Sequence, residues 1–247
     1  MTYCVGLCLK EGIVMLSDTR TNAGVDNIST FCKMSVFEKT GDRMLAMMTA
    51  GNLAVSQAVQ GLLNEGIENK ATGEKETLFT VPNMFRAAQL VSEAVRQVFF
   101  IHGGVMQAQG IGFDVGIILG GQIGNGAMHM YQFYSAGNFI ESSEDTPFLQ
   151  LGEHKYGKPI LDRSVGYDLP LYDAIKMVLL SMDSTLRSNL SVGLPLDLLV
   201  YKRGALCAGI RRRITDDEPY FRYVRESWSS ALREAHQHIT RPDWARD

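Results

Sequence analysis

The chain has 247 residues, 45% of them hydrophobic and 21% charged, with a formal net charge of −3 at pH 7. That length allows one large domain or two small ones with a sizeable core, and the composition is that of an ordinary globular protein. The slight negative charge gives no electrostatic basis for holding nucleic acid or an anionic membrane, and no apolar run approaches the roughly 18 residues of a transmembrane span.

The N-terminal segment lacks the charged start and long apolar stretch of a signal peptide, so a cytoplasmic protein is expected. Residues 3–9 and 13–17 are short apolar runs joined around Gly12, the pattern of a hairpin. Cys4 and Cys8 share one face of the first run and read as small buried thiols. With Cys32 and Cys207 they form no CxxC pair, and neither a metal role nor a disulfide is expected. Residues 33–37 and 44–50 repeat the strand pattern, with Thr40, Gly41 and Asp42 as the turn.

Helical periodicity then takes over. Asn52 stands where it can cap a helix whose apolar stripe is Leu53, Val55, Ala58, Val59, Leu62 and Leu63. A second helix spans residues 80–101, with Met84, Ala87, Leu90, Val91, Ala94, Val95 and Val98 at three- and four-residue spacing. Its wide apolar face suits packing on a sheet and also against a neighbour. Strands return at 113–119 and 128–134, with Gly120, Gly121, Gly124 and Gly126 around the turn between them. That glycine cluster has the wrong spacing for a nucleotide-binding loop, and a strand follows it instead of a helix.

Helices follow at 154–164 and 172–190, then a strand pair at 196–201 and 205–210, and a last helix at 219–237. Arg211, Arg212 and Arg213 are followed by Asp216, Asp217 and Glu218, so the basic triplet reads as a solvated strand end. No repeat, composition shift or proline-rich linker marks a boundary. One domain is therefore expected over residues 1–247, with a C-terminal helical extension at about 216–247 that carries Trp228, Leu232 and Trp244 and packs on a neighbour or on its own outer layer. Strand runs that feed helix pairs do not suit a Rossmann alternation. They suit an α+β chain of two stacked antiparallel sheets with helices on both outer faces.

The chemistry centres on Thr2, directly behind the initiator methionine. With Met1 removed, one residue would carry both a hydroxyl and a free α-amine. An amine that titrates at about 7.7–8.0 can accept the hydroxyl proton and later return it. Asp18 ends the second strand in the string Ser17-Asp18-Thr19-Arg20-Thr21-Asn22-Ala23-Gly24, Lys33 begins the third strand, and Gly51 sits where the fourth meets the first helix. Ser188 and Ser191 lie three apart at the end of the long helix, with Gly193 just beyond. A lysine beside the threonine would hold the local potential positive, and a buried carboxylate would anchor that lysine. A glycine at a strand-to-helix turn frees an amide to face a developing oxyanion. His236 and His238 read as a solvated helix end, and no HExxH, GxSxG or paired Cys/His cluster occurs, so no metal and no cofactor is expected.

In this order the residues resemble the proteasome β-subunit family of N-terminal-nucleophile hydrolases, over roughly residues 2–205, and most of all its bacterial Anbu-type branch, whose members begin Thr-Tyr-Cys behind the methionine. The resemblance implies a four-layer αββα sandwich with Thr2 as nucleophile, Asp18 and Lys33 as its supporting ion pair, and the Gly51 amide in the oxyanion hole. Ser191, and more loosely Ser188, would position the amine and its water. Thr21, Asn22, Thr49 and Leu53 would border the pocket for the side chain before the scissile bond, with the substrate strand lying along Thr21, Asn22 and Ala23.

The implied activity is that of a threonine peptidase on peptides or partly unfolded proteins, inside a self-compartmentalised homo-oligomer that is a double ring or an open spiral. No unfoldase partner is legible. Two departures stand out. Ser188 occupies the position of a family aspartate, and Gly152-Glu153-His154 that of a Gly-Ser-Gly loop. They keep open a ring-forming subunit with weak or no catalysis. An amidase acting on a small amide would use the same chemistry.

Overall fold

The computed structural model describes residues 2–22 and 28–245. Strands β1 (Tyr3–Cys8) and β2 (Gly12–Asp18) form the expected hairpin, with Cys4 opposite Ser17 and Cys8 opposite Ile13. A short pair, β3 (Arg20–Asn22) and β4 (Ile28–Thr30), precedes β5 (Met34–Lys39) and β6 (Arg43–Gly51). Helix α1 (Leu53–Glu65) starts directly after β6, because the Asn52 side chain accepts from the amides of Ala54 and Val55. A two-residue hairpin, β7 (Ile67–Glu68) and β8 (Lys75–Glu76), leads to α2 (Met84–Val98).

The expected start of that helix at residue 80 is corrected to Met84. Asn83 is extended and its side chain accepts from the Arg86 amide, so the helix cannot begin before it. The helical path then runs past residue 101, through a π-turn at Phe99–Gly103 into α3 (Gly104–Ala108). Next come β9 (Val115–Ile123), β10 (His129–Phe133), β11 (Phe139–Glu141) and β12 (Phe148–Gly152). Helices α4 (His154–Ser164) and α5 (Leu171–Ser188), strands β13 (Leu196–Lys202) and β14 (Ile210–Ile214), and α6 (Pro219–His238) complete the order.

The larger strands form two antiparallel five-stranded sheets, ordered β12-β1-β2-β13-β14 and β11-β10-β9-β6-β5. One apolar cluster joins residues of both sheets, including Cys4, Ile13, Met15, Met44, Ala46, Met48, Ile118 and Met130. A second joins β6 and β9 to α1 and α2, and a third joins β1, β2 and β13 to α4, α5 and α6. Both faces of β1 and β2 are therefore covered, which is why each of their residues is buried.

Two sequence expectations are corrected here. Gly120 and Gly121 lie inside β9, not in the turn. A Cβ on Gly121 would stand 2.2 Å from the Met44 carbonyl oxygen, so close backbone approach, not turning, selects glycine there. The last strand is 210–214, not 205–210, which puts Arg211, Arg212 and Arg213 within β14. β14 is an edge strand, and three long cations along it discourage pairing with another chain.

Helix α6 packs on α5 through Phe221 and Val224, with Trp228 partly buried beside them, while Leu232 and Trp244 stay exposed. The contact includes Asp183 of α5, which is 1% exposed and has one carboxylate oxygen held by Arg225 at 2.7 Å and the other by Arg187 at 2.9 Å. Arg225→Ala is expected to lower stability by about 1–3 kcal/mol, because a buried carboxylate loses one of its two partners. Urea unfolding of the two proteins measures this. No described helix is long and apolar enough to cross a membrane.

Candidate active site

The site forms where four elements end together. β1 begins at Tyr3, so Thr2 is the residue just outside it and is only 7% exposed. Its carbonyl accepts from the Glu153 amide at 2.8 Å, and Gly152 lies opposite Tyr3 in the register of β1 and β12. Gly152 has φ +75°, and a Cβ there would fall 1.8 Å from the Thr2 carbonyl oxygen. Glycine is thus required for the chain to close over Thr2. Tyr3 fixes the other side: its amide donates to Asp18 Oδ1, and its buried hydroxyl pairs with Ser181 at 2.6 Å and accepts from Gln150 at 2.5 Å. Burial pushes the Tyr3 phenol up to about 12, so it serves as a neutral anchor.

Asp18 ends β2 and is fully buried, and Lys33, just before β5, is 6% exposed. The lysine Nζ donates to three oxygens: Asp18 Oδ1 at 2.7 Å, the Arg20 carbonyl at 2.6 Å and Thr2 Oγ1 at 2.5 Å. An ammonium has three hydrogens, and all three are spent. Burial pushes the Asp18 carboxyl above the usual range, and the Lys33 charge with the Tyr3 and Gly193 amides pulls it back. At 2.7 Å Lys33 is the partner that most opposes the burial penalty on Asp18.

The loop after α5 closes over the pair. Gly193 donates to Asp18 Oδ2 at 3.4 Å, and a Cβ on it would lie 2.2 Å from Arg20 Nε, so the arginine lies flat against the glycine. Arg20 also donates to the Leu190 carbonyl, and Asn22 Nδ2 to the Ser191 carbonyl. Ser191 therefore meets the site through its main chain. Ser188 is exposed at the end of α5, and its side chain makes no hydrogen bond among the described residues.

Thr2, Thr21, Asn22, Lys33, Thr49, Ala50, Gly51, Leu53 and Ser56 line one pocket of about 50 Å³. Of the expected residues, Thr2, Lys33, Gly51, Thr21, Asn22, Thr49 and Leu53 share this lining, with Asp18 bonded to Lys33 outside it, and Ala50 and Ser56 join the lining without having been expected there. Ala23 lies outside the described residues. Ala50 and Gly51 also border a second cavity of about 720 Å³, which runs along β12 as far as Gly152.

Gly51 has φ +98°, and a Cβ on it would come 2.5 Å from the Asp114 carbonyl oxygen. Gly51→Ala must therefore shift the turn that aims the amide. It is expected to lower covalent capture of Thr2 by an electrophilic peptide roughly 100-fold, the scale of losing one oxyanion donor. Stopped-time mass spectrometry reads that rate.

Beyond the geometry, no family model matches the chain, and no match was found among curated proteins. Solved structures do match. Anbu from Hyphomicrobium sp. strain MC1 shares 47% identity over 98% of this chain and 99% of its own, with a TM-score of 0.86. Anbu, described as an ancestral β-subunit, from Yersinia bercovieri shares 42% over 99% and 100%, with a TM-score of 0.90. A helical assembly of the Anbu complex from Pseudomonas aeruginosa contains a chain 44% identical over 99% and 100%, with a TM-score of 0.91. Identity at this level over both full lengths, together with the site at the head of β1, shows that the chain belongs to the Anbu family of proteasome-related ancestral β-subunits.

Proposed function

We propose that the protein is a threonine peptidase that hydrolyses peptide bonds with Thr2 after Met1 is removed. The observation that carries this reading is the single ammonium of Lys33, which bridges Thr2 Oγ1 at 2.5 Å and the buried Asp18 at 2.7 Å. Lys33 donates to the hydroxyl oxygen, so it favours a developing alkoxide. We assign it a donor's role and not the base's, since its three donor positions meet Thr2, Asp18 and the Arg20 carbonyl. The proton of Oγ1 must leave by another route, and the α-amine of the same residue is the base within reach.

In that mechanism Oγ1 attacks the scissile carbonyl carbon as its proton passes to the amine. The carbonyl electrons move to the oxygen, which the Gly51 amide faces. Collapse breaks the C–N bond, the leaving amine takes the proton, and an ester on Thr2 remains. Water then attacks that ester with the amine again acting as base, the bond between the acyl carbon and Oγ1 breaks, and Oγ1 takes the proton back from the amine. β3 pairs only with β4 among the described residues, so its other edge can receive a substrate strand beside Thr21. Ser188, exposed and with no side-chain bond among the described residues, gives the amine no support there. That favours slow turnover over a fast enzyme.

We assign the two sheets and their helices to a four-layer αββα sandwich in one domain, with α6 as its C-terminal extension. Phe99, Phe100, Ile101, Val105 and Ile111 form an exposed apolar stretch after α2, which supports a homo-oligomer built through such surfaces. The test is the intact mass of the purified protein with and without a peptide epoxyketone. Loss of Met1 and gain of one inhibitor is the expected result. Retained Met1, or no adduct at millimolar inhibitor, refutes the peptidase.

A further inference from the structure

We infer that the pocket beside Thr2 selects a small, uncharged residue before the scissile bond, alanine- or serine-sized. This rests on the peptidase reading and adds the substrate class.

Size comes first. The pocket holds about 50 Å³. A cavity of roughly 150 Å³ accommodates benzene, six heavy atoms, so a third of that volume takes about two. Serine has two side-chain heavy atoms beyond Cα, alanine one, leucine four and phenylalanine seven. The walls are not free to retreat. Leu53 is the first residue of α1, and the Asn52 cap fixes that turn through the Ala54 and Val55 amides and the Ser56 hydroxyl. Thr49 lies in β6, paired on one side with Ile117 and bonded through its amide to the Lys33 carbonyl.

Charge narrows the choice further. Lys33 carries the only ionisable side chain among the described lining residues, and its three donor positions meet Thr2, Asp18 and the Arg20 carbonyl. An acidic side chain would find no unspent donor on it, and a basic one would face an ammonium.

The test uses the full chain, freed of Met1, and peptide epoxyketones identical except at the residue beside the warhead: alanine, serine, leucine, phenylalanine or aspartate. Adduct formation is followed by intact mass. Alanine and serine are expected to react at least about tenfold faster than the other three, the selectivity that one or two misfitting carbons produce. Leu53→Ala should raise the leucine rate about tenfold. Leucine, phenylalanine or aspartate reacting as fast as alanine overturns the inference. So does a site that a small β-lactone acylates but neither small-residue peptide does. If nothing acylates Thr2, the peptidase reading itself is refuted and this inference goes with it.

Discussion

Thr2→Ala is expected to abolish covalent capture by epoxyketones and β-lactones while changing stability by less than about 1 kcal/mol. The small stability change follows from what the side chain touches. Among the described residues its hydroxyl has one partner, Lys33 Nζ, and the lysine keeps Asp18 and the Arg20 carbonyl when that partner is gone. The bonds that seat the residue are made by main-chain amides, the Glu153 amide donating to its carbonyl and the Tyr3 amide to the Asp18 carboxylate. Alanine at this position can make all of them. Losing one hydrogen bond from a group that retains two others costs at the low end of the usual range. The loss of capture, by contrast, is expected to be complete, because among the described lining residues no other hydroxyl is bonded by Lys33 Nζ and there is no thiol: Cys4 lies in the core between the sheets, and burial pushes its thiol well above the usual range. Thr2→Ser keeps the hydroxyl and should keep capture at a reduced rate, since without the β-branch the oxygen is less firmly fixed in one rotamer. Intact mass and a thermal melt on each variant provide both readouts. An adduct on Thr2→Ala would show that the covalent chemistry lies elsewhere.

Much of this arrangement was legible in the chain because it is local. The β1–β2 hairpin follows from two apolar runs around Gly12, and Asp18 had to fall at the end of the second. Asn52 before an apolar stripe marked both the start of α1 and, through it, the position of Leu53. The contacts that were not legible are those whose partners are far apart in sequence. The Tyr3 hydroxyl meets Ser181 and Gln150, across separations of 178 and 147 residues, and nothing in the Thr-Tyr-Cys string announces either. Gly193 was noticed only as a residue beyond a helix. Its reason, the Arg20 side chain lying against its missing Cβ, depends on a loop folding back over β3. Gly120 and Gly121 misled the reading for a related cause: glycine reports close backbone approach as readily as it reports a turn, and only the neighbouring strand decides which. Ser188 and Ser191 fell within three residues of each other yet have different fates, because α5 ends between them and turns one outward.

Lys33→Met is the variant that tests the electrostatics of the site, and its effect on both stability and chemistry should be large. Methionine has nearly the length of lysine, so packing is preserved while the charge is removed. Asp18, 0% exposed, would then keep only the Tyr3 and Gly193 amides. Stranding a buried charge in this way costs about 3–5 kcal/mol near neutral pH. The pH dependence carries the sign. Burial already pushes Asp18 up, and the Lys33 charge is the largest influence opposing it. Without that charge the folded-state value rises further above the unfolded value of about 3.9. A carboxyl raised on folding contributes stability that is fully present below its unfolded value and is lost as pH rises through the folded one. The deficit of Lys33→Met relative to the parent should therefore be small near pH 4, grow with pH, and level off once Asp18 ionises in the folded state. Denaturant titrations at a series of pH values would trace that curve, and a deficit independent of pH would mean that Asp18 does not carry the cost. Acylation of Thr2 should fall by about three orders of magnitude or more, the scale on which removing one member of a catalytic group acts. Adding Asp18→Asn to Lys33→Met removes the stranded charge and should recover most of the stability, while acylation stays lost. If the double variant regained acylation along with stability, the pair would be a folding device, and the positive charge beside Thr2 Oγ1 would have no part in making it a nucleophile.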